Sequence, residues 1–169
     1  VQPFLRGDEH REETRRQLGY APQHVVVGKI ARLFHLKGHE HLSSAAEQVL
    51  RRCPHVRFLL VGDGILRAPL EQQIARAGLN DYFQFLGLVE PERIPAILGA
   101  LDVLVHTSLR EGLARALPQA LIAGKPVVSY DVDGAREVVI PGETGFLLPP
   151  QSVTPLADAL ICLAEDGAL

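Results

Sequence analysis

Apolar runs alternating with helical patterns predict an α/β domain built on a doubly wound, six-stranded parallel sheet covered on both faces. Three observations carry that expectation. Stretches such as VRFLLVG (56–62) and DVLVH (102–106) are apolar almost without alternation, as strands buried on both faces must be. Between such runs lie segments with apolar residues three and four apart; in 38–53, Leu42, Ala45, Ala46, Val49, Leu50 and Cys53 fall on one stripe. At 169 residues, 47% apolar and 22% charged, the chain has the length and composition of one globular domain with a substantial core.

The elements follow in order. Residues 1–23 are polar, and their charged pattern EHREETRRQLG ends at Gly19 and Pro22. This segment is either a solvated helix or a connector from a preceding domain, and the domain proper is 24–169. A buried strand is expected at 24–31, a helix at 38–53, and strands at 56–62 and 82–87 on either side of a helix at 65–77 (Leu66, Leu70, Ile74). A helix at 91–100 leads to the strand 102–106. Pro118 is tolerated only in a first helical turn, so the next helix, to 124, begins near Ala116 or Leu117. A strand at 127–130, a short helix at 134–139, a strand at 144–148 and a last helix at 154–164 complete the series. Strand–helix alternation implies parallel pairing, with 3-2-1-4-5-6 as the default order. The switch point then lies between the first and fourth strands. It sets the loops 31–38 and 107–116 beside one crevice, which also gathers 62–64 and 86–90.

Composition excludes several classes. A formal charge of −3 without a Lys/Arg run argues against nucleic acid as the main partner. Any phosphate must be held by a local basic cluster. The apolar run near 94–106 is broken by Asp102 and is too short to span a membrane. The opening VQPFLRGDEHREE has no apolar leader and no initiator Met, which suggests a piece of a longer protein. Cys53 and Cys162 sit on apolar helix sides, as free thiols of a reducing, cytoplasmic compartment do, although a disulfide remains open.

The chemistry concentrates in TSLREGLARALPQALIAGKPVV (107–128). Glu111 and Gly112 stand where the chain leaves a strand at the carboxyl edge. Leu113, Ala114, Arg115 and Ala116 lead into a helix with unpaired N–H groups, an anion cradle with one carboxylate at its lip. Across the switch point, ARLFHLKGHE brings Arg32 and Lys37, a forked and a point cation suited to a diphosphate. In VGDG, Gly62, Asp63 and Gly64 form a tight turn but no dinucleotide fingerprint, since Arg67 stands at the third glycine position and 82–86 holds no acidic residue. Leu86, Gly87 and Leu88 end a strand at the same edge. His35, His39 and His41 are close in sequence without the further ligands of a metal site, and His106 ends a strand at the crevice.

Glu111-Gly112, followed by a small helix and Gly124-Lys125-Pro126-Val127-Val128, resembles the signature of retaining glycosyltransferases of family four. Arg32 to Gly38 resembles that family's Gly-Arg-…-Lys-Gly motif with Ala31 in place of the first Gly, and Gln119 stands where the family has a second Glu. FLGLVEPERI, DVDGAREVV and PGETGFLLPP resemble further segments, so the likeness covers 24–164. It implies the C-terminal, nucleotide-sugar-binding half of a two-domain, GT-B type enzyme with Rossmann-like domains. That enzyme would move a hexose from a UDP- or GDP-type sugar to an acceptor hydroxyl. Arg32, Lys37 and the amides of 113–116 would hold the diphosphate, and Glu111 the sugar hydroxyls. Gln119 would face the ribose, Leu86–Leu88 the base, and Gly62–Gly64 would lie by the nucleotide. The resemblance implies no metal and no cofactor beyond the donor. It also implies an N-terminal acceptor domain outside this chain, with room for peripheral membrane association through it. The alternatives are a sugar epimerase or phosphorylase of this architecture and a non-catalytic nucleotide-binding module. The chain alone is expected to bind a nucleotide diphosphate and transfer nothing.

Overall fold

The structure, a computed structural model, describes residues 1–166; the last three residues of the expected 24–169 domain lie outside it. Two short helices, α1 (Gln2–Leu5) and α2 (Arg11–Gln17), precede β1 (Val25–Ile30), α3 (His39–Arg52), β2 (Val56–Val61), α4 (Arg67–Arg76) and β3 (Phe83–Gly87). Then come α5 (Ile94–Ala100), β4 (Val103–His106), α6 (Ala116–Ile122), β5 (Val127–Tyr130), β6 (Gly145–Leu148) and α7 (Val153–Asp166). The sheet order is β3-β2-β1-β4-β5-β6 and every pair is parallel. This is the doubly wound order expected from the alternation.

Both faces of each strand are used. Val27, Phe58, Leu60, Val103, Val105 and Val128 pack with Leu42, Val49, Leu156 and Leu160 of α3 and α7. Val26, Leu59, Leu104 and Val127 pack the other way with Ile97 and Leu98 of α5 and Leu117 and Ala120 of α6. The period-two side-chain alternation thus feeds two apolar layers, which is why these strands read as continuous apolar runs.

Three expectations need correction. The helix expected at 91–100 is a 3₁₀ turn, Pro91–Arg93, followed by α5, because Pro95 must sit in a first α-helical turn. The helix expected at 134–139 is a 3₁₀ helix, Asp133–Glu137. The segment 1–23 is not simply solvated. Arg15 is buried, and Arg11 donates to the carbonyls of Gly99 (2.7 Å) and Leu101 (2.6 Å). Asp102 accepts from Arg11 at 2.5 Å, from Arg15 at 3.1 Å and from the Val26 N–H at 2.7 Å. Charges four apart on a helix read as solvent-facing, yet the long guanidinium stems reach the open carbonyls at the end of α5. Cys53 is buried and Cys162 half-buried, and both thiols are free.

Replacing Asp102 with alanine strands two cations and the Val26 N–H. Asp102 is partly solvated, so the expected loss is about 1–3 kcal/mol, below that of a fully buried pair. Denaturant titration measures it, and asparagine, which still accepts from Val26, should recover part. An alanine variant as stable as the parent would show that this network carries no net stabilisation.

Candidate functional site

The crossover between β1 and β4 opens a crevice at the carboxyl edge of the sheet. Two loops meet there, 31–38 after β1 and 107–115 after β4, and they are stitched together. The Leu109 N–H donates to the Leu36 carbonyl at 2.8 Å, and the Thr107 hydroxyl donates to the Gly38 carbonyl at 2.7 Å. Leu36 (φ 65°) and Gly38 (φ 63°) are both left-handed, so Lys37 stands on a tight bend. A Cβ at position 38 would collide with the Thr107 carbonyl oxygen, so only glycine allows the loops to come this close.

The bend aims Lys37 at Glu111. Nζ lies 2.7 Å from Oε2, which also accepts the Ser108 hydroxyl at 2.9 Å and stands 3.6 Å from His106 Nε2. Asp133, left-handed itself at φ 47°, accepts the Glu111 N–H at 2.6 Å and fixes the lip from the β5 side. Burial works to raise the Glu111 carboxyl, but Lys37 and Ser108 prevail and hold it below the usual carboxylate range. Burial, with Lys29 beside it, brings His106 down to about 3, so its imidazole is neutral at pH 7.

Beyond Glu111, residues 112–115 donate no backbone hydrogen bond to a carbonyl among the described residues, and α6 starts at Ala116. In this stretch Leu113 and Arg115 are exposed and Ala114 is buried. Gln119 lies half-buried in α6, with no side-chain hydrogen bond among the described residues. The opposite wall is equally tight. The Leu33 N–H donates to the Asp63 carbonyl at 2.9 Å, and the Gly62 N–H to the Gly87 carbonyl at 2.9 Å. A Cβ on Gly64 would strike the Leu33 carbonyl and the Phe34 ring. Leu86 is half-buried, while Leu88 projects into solvent from the end of that wall.

The structure therefore brings Lys37 and Glu111 together. Arg32 is placed differently: it is exposed, with its guanidinium 5.2 Å from the centroid of the Phe34 ring, and it joins no ion pair among the described residues. The three clustered histidines also diverge. The neutral ring of His39 donates from Nε2 to the Arg32 carbonyl at 2.9 Å, and no group of three or more metal-ligating side chains converges among the described residues. Sequence reasoning missed Lys29, Thr107, Ser108 and Asp133. One signal was available: a lysine inside the otherwise apolar strand VVVGKI must find a buried partner.

The arrangement sets a charge-balanced ion pair beside free amides, a combination suited to an anion carrying hydroxyl groups. A second concavity, lined by Val25, Lys125, Thr144 and Glu165 among others, lies at the opposite edge of the sheet and shares no residue with the crevice.

The family model of the glycosyl transferases group 1 matches residues 10–169. The chain belongs to that family. Among solved structures, this glycosyl transferase domain is similar to Anabaena Alr3699/HepE in complex with UDP-glucose, with a TM-score of 0.86 and 36% identity, covering 94% of this chain and 44% of that one. It is also similar to the C-terminal domain of a glycosyl transferase group 1 family protein from Francisella tularensis, with a TM-score of 0.85, 25% identity, and 94% and 84% of the two chains covered. A curated relative, the 2-deoxystreptamine glucosyltransferase of Streptomyces kanamyceticus, is 36% identical over 143 residues, 85% of this chain and 37% of that protein. The chain thus spans about two fifths of such relatives. The resemblance carried by Glu111-Gly112 and Arg32 to Gly38 is borne out at the level of family and fold. No helix among the described residues is long and apolar enough to cross a membrane.

Proposed function

We propose that this domain holds the donor of a retaining glycosyltransferase that moves a hexose from a UDP-type nucleotide sugar to an acceptor hydroxyl. The observation that carries the reading is the Lys37–Glu111 pair at the lip of the unpaired amides of 112–115. Lys37 and those amides take the diphosphate, and Arg32, free to swing from its exposed position, closes on it from the same loop. As the sugar leaves, negative charge builds on the diphosphate where fixed donors already point, and preorganised stabilisation of this kind is usually the largest catalytic term. Glu111, kept ionised by Lys37 and Ser108, accepts hydrogen bonds from sugar hydroxyls. Gln119 faces the ribose, while Leu86 to Leu88 and the 62–64 turn border the base. In this reading the loop cations take the role of a metal, so the reaction runs without one. UDP is favoured over GDP because HepE was solved with UDP and UDP-glucose. An N-terminal domain supplies the acceptor and the water-excluding wall, and the reaction is cytoplasmic.

The test is a product assay of the full-length protein with labelled UDP-sugar. A glycosylated acceptor plus UDP supports the proposal; an isomerised sugar nucleotide points to an epimerase, and binding without turnover to a nucleotide-binding module. Gln119 adds a specific expectation. An amide accepts one ribose proton, whereas a carboxylate accepts two with charge assistance. Gln119→Glu should therefore tighten binding of UDP relative to 2′-deoxy-UDP by about 1 kcal/mol. An unchanged ribose-to-deoxyribose ratio in calorimetry would remove Gln119 from the ribose.

A further inference from the structure

Lys29 lies on β1 and is 1% exposed, in a strand where every neighbour is apolar. Its Nζ donates to the Thr107 hydroxyl at 2.7 Å, and that hydroxyl donates onward to the Gly38 carbonyl at 2.7 Å. This relay starts on β1, crosses to the end of β4, and returns to the bend that carries Lys37. A buried amine is costly to retain, and an apolar side chain of similar volume would fill the space more cheaply. The relay spans the two loops that must stay in register for Lys37 and the amides after Glu111 to face one ligand.

We propose that Lys29 is a positioning residue of the diphosphate site, locking the 36–38 and 107–111 loops through Thr107 and taking up a proton when the diphosphate binds. The inference rests on the donor-site reading above and deepens it. The charge groups around Lys29 account for the second half. Lys37, Glu111 and Glu40 face it, with His39 on α3 and His106 on β4 close by. Burial, reinforced by Lys37, brings the Lys29 ammonium down to about 7 against the pull of Glu111 and Glu40. Its amine is therefore largely neutral above that pH in the empty site. A diphosphate adds negative charge beside the relay and pairs with Lys37, whose own charge otherwise opposes the ammonium, and both changes favour the ammonium form. His39 and His106, each held to about 3, and Glu111, held low, keep their charge states above pH 7. The phosphate itself is fully ionised by pH 8.

The experiment is calorimetry of UDP and uridine on the full-length protein at pH 8, in buffers of differing ionisation enthalpy. The parent is expected to take up close to one proton per UDP and none per uridine. Its UDP affinity should fall toward tenfold per pH unit above about pH 7.5. Lys29→Met should lose at least about tenfold in UDP affinity, together with the proton uptake, while uridine binding stays unchanged. Thr107→Val, which cuts the relay but keeps the amine, should weaken UDP binding and retain the uptake. A purely structural lysine would leave the proton count at zero in the parent, which overturns the proposal even if Lys29→Met does not fold. UDP affinity within twofold of the parent in Lys29→Met also overturns it. A parent that binds no nucleotide removes the donor-site reading and this inference with it.

Discussion

Replacing Lys37 with alanine in the full-length protein is expected to lower transfer by about 10²–10³, the usual cost of one preorganised donor at developing charge. UDP affinity should fall by about 1.5–3 kcal/mol, the range for hydrogen bonds to charged groups, with uridine binding unchanged. Two effects act together. The first is loss of a cation from the diphosphate. The second is release of Glu111, whose Oε2 lies 2.7 Å from Nζ and would face the incoming phosphate without a counter-charge. Arg32→Ala should cost less in binding, because its guanidinium is exposed and rests on Phe34 before the ligand arrives. Equal losses for UDP and uridine with Lys37→Ala would show that Lys37 does not hold phosphate. A larger loss with Arg32→Ala would reverse the ranking of the two cations.

The ranking follows from structure that spacing alone did not reveal. Strand order was legible because apolar runs in β1, β2 and β4 fit only a sheet covered on both faces, and strand–helix alternation leaves few topologies. With that order the switch point alone places Lys37 and Glu111 at one crevice. Sequence sets Arg32 and Lys37 on the same loop. The left-handed Leu36 and Gly38 separate the two by turning only Lys37 inward. Thr107 and Ser108 read as ordinary strand-end residues, and their partners, Lys29 and Glu111, are set by a 78-residue contact in one case and a three-residue turn in the other. Arg15 shows the same limit: its acceptors, the Ala100 carbonyl and Asp102, lie 85 and 87 residues away.

The same buried groups predict strong acid sensitivity of the fold. His39 and His106 are brought from 6.5 to about 3, chiefly by burial and by Lys29 beside them. In the unfolded chain both titrate near 6.5, so between pH 6.5 and 3 the unfolded state binds about two protons that the folded state refuses. Stability contributed by a depressed folded value is present above the unfolded value and lost as pH falls through that window. At about 1.4 kcal/mol per pH unit, a depression of this size makes each histidine's contribution on the order of a few kcal/mol. Geometry explains why protonation is so unfavourable. His39 already donates from Nε2 to the Arg32 carbonyl, and its buried Nδ1 has no partner among the described residues, so an added proton would point at nothing. Glu111, also held low, loses its contribution in the same direction below its ordinary range. Lys29 adds to the slope only above about pH 7, where the unfolded chain still holds its proton. Denaturant titrations of the chain from pH 7.5 to 4 should show stability falling with a slope approaching two protons. His39→Gln, which keeps a donor for the Arg32 carbonyl, should remove about one of them, and His106→Gln the other. Stability that stays flat from pH 6.5 to 4.5 would mean that these imidazoles protonate freely in the folded domain, and the neutral pair beside Lys29 would have to be abandoned.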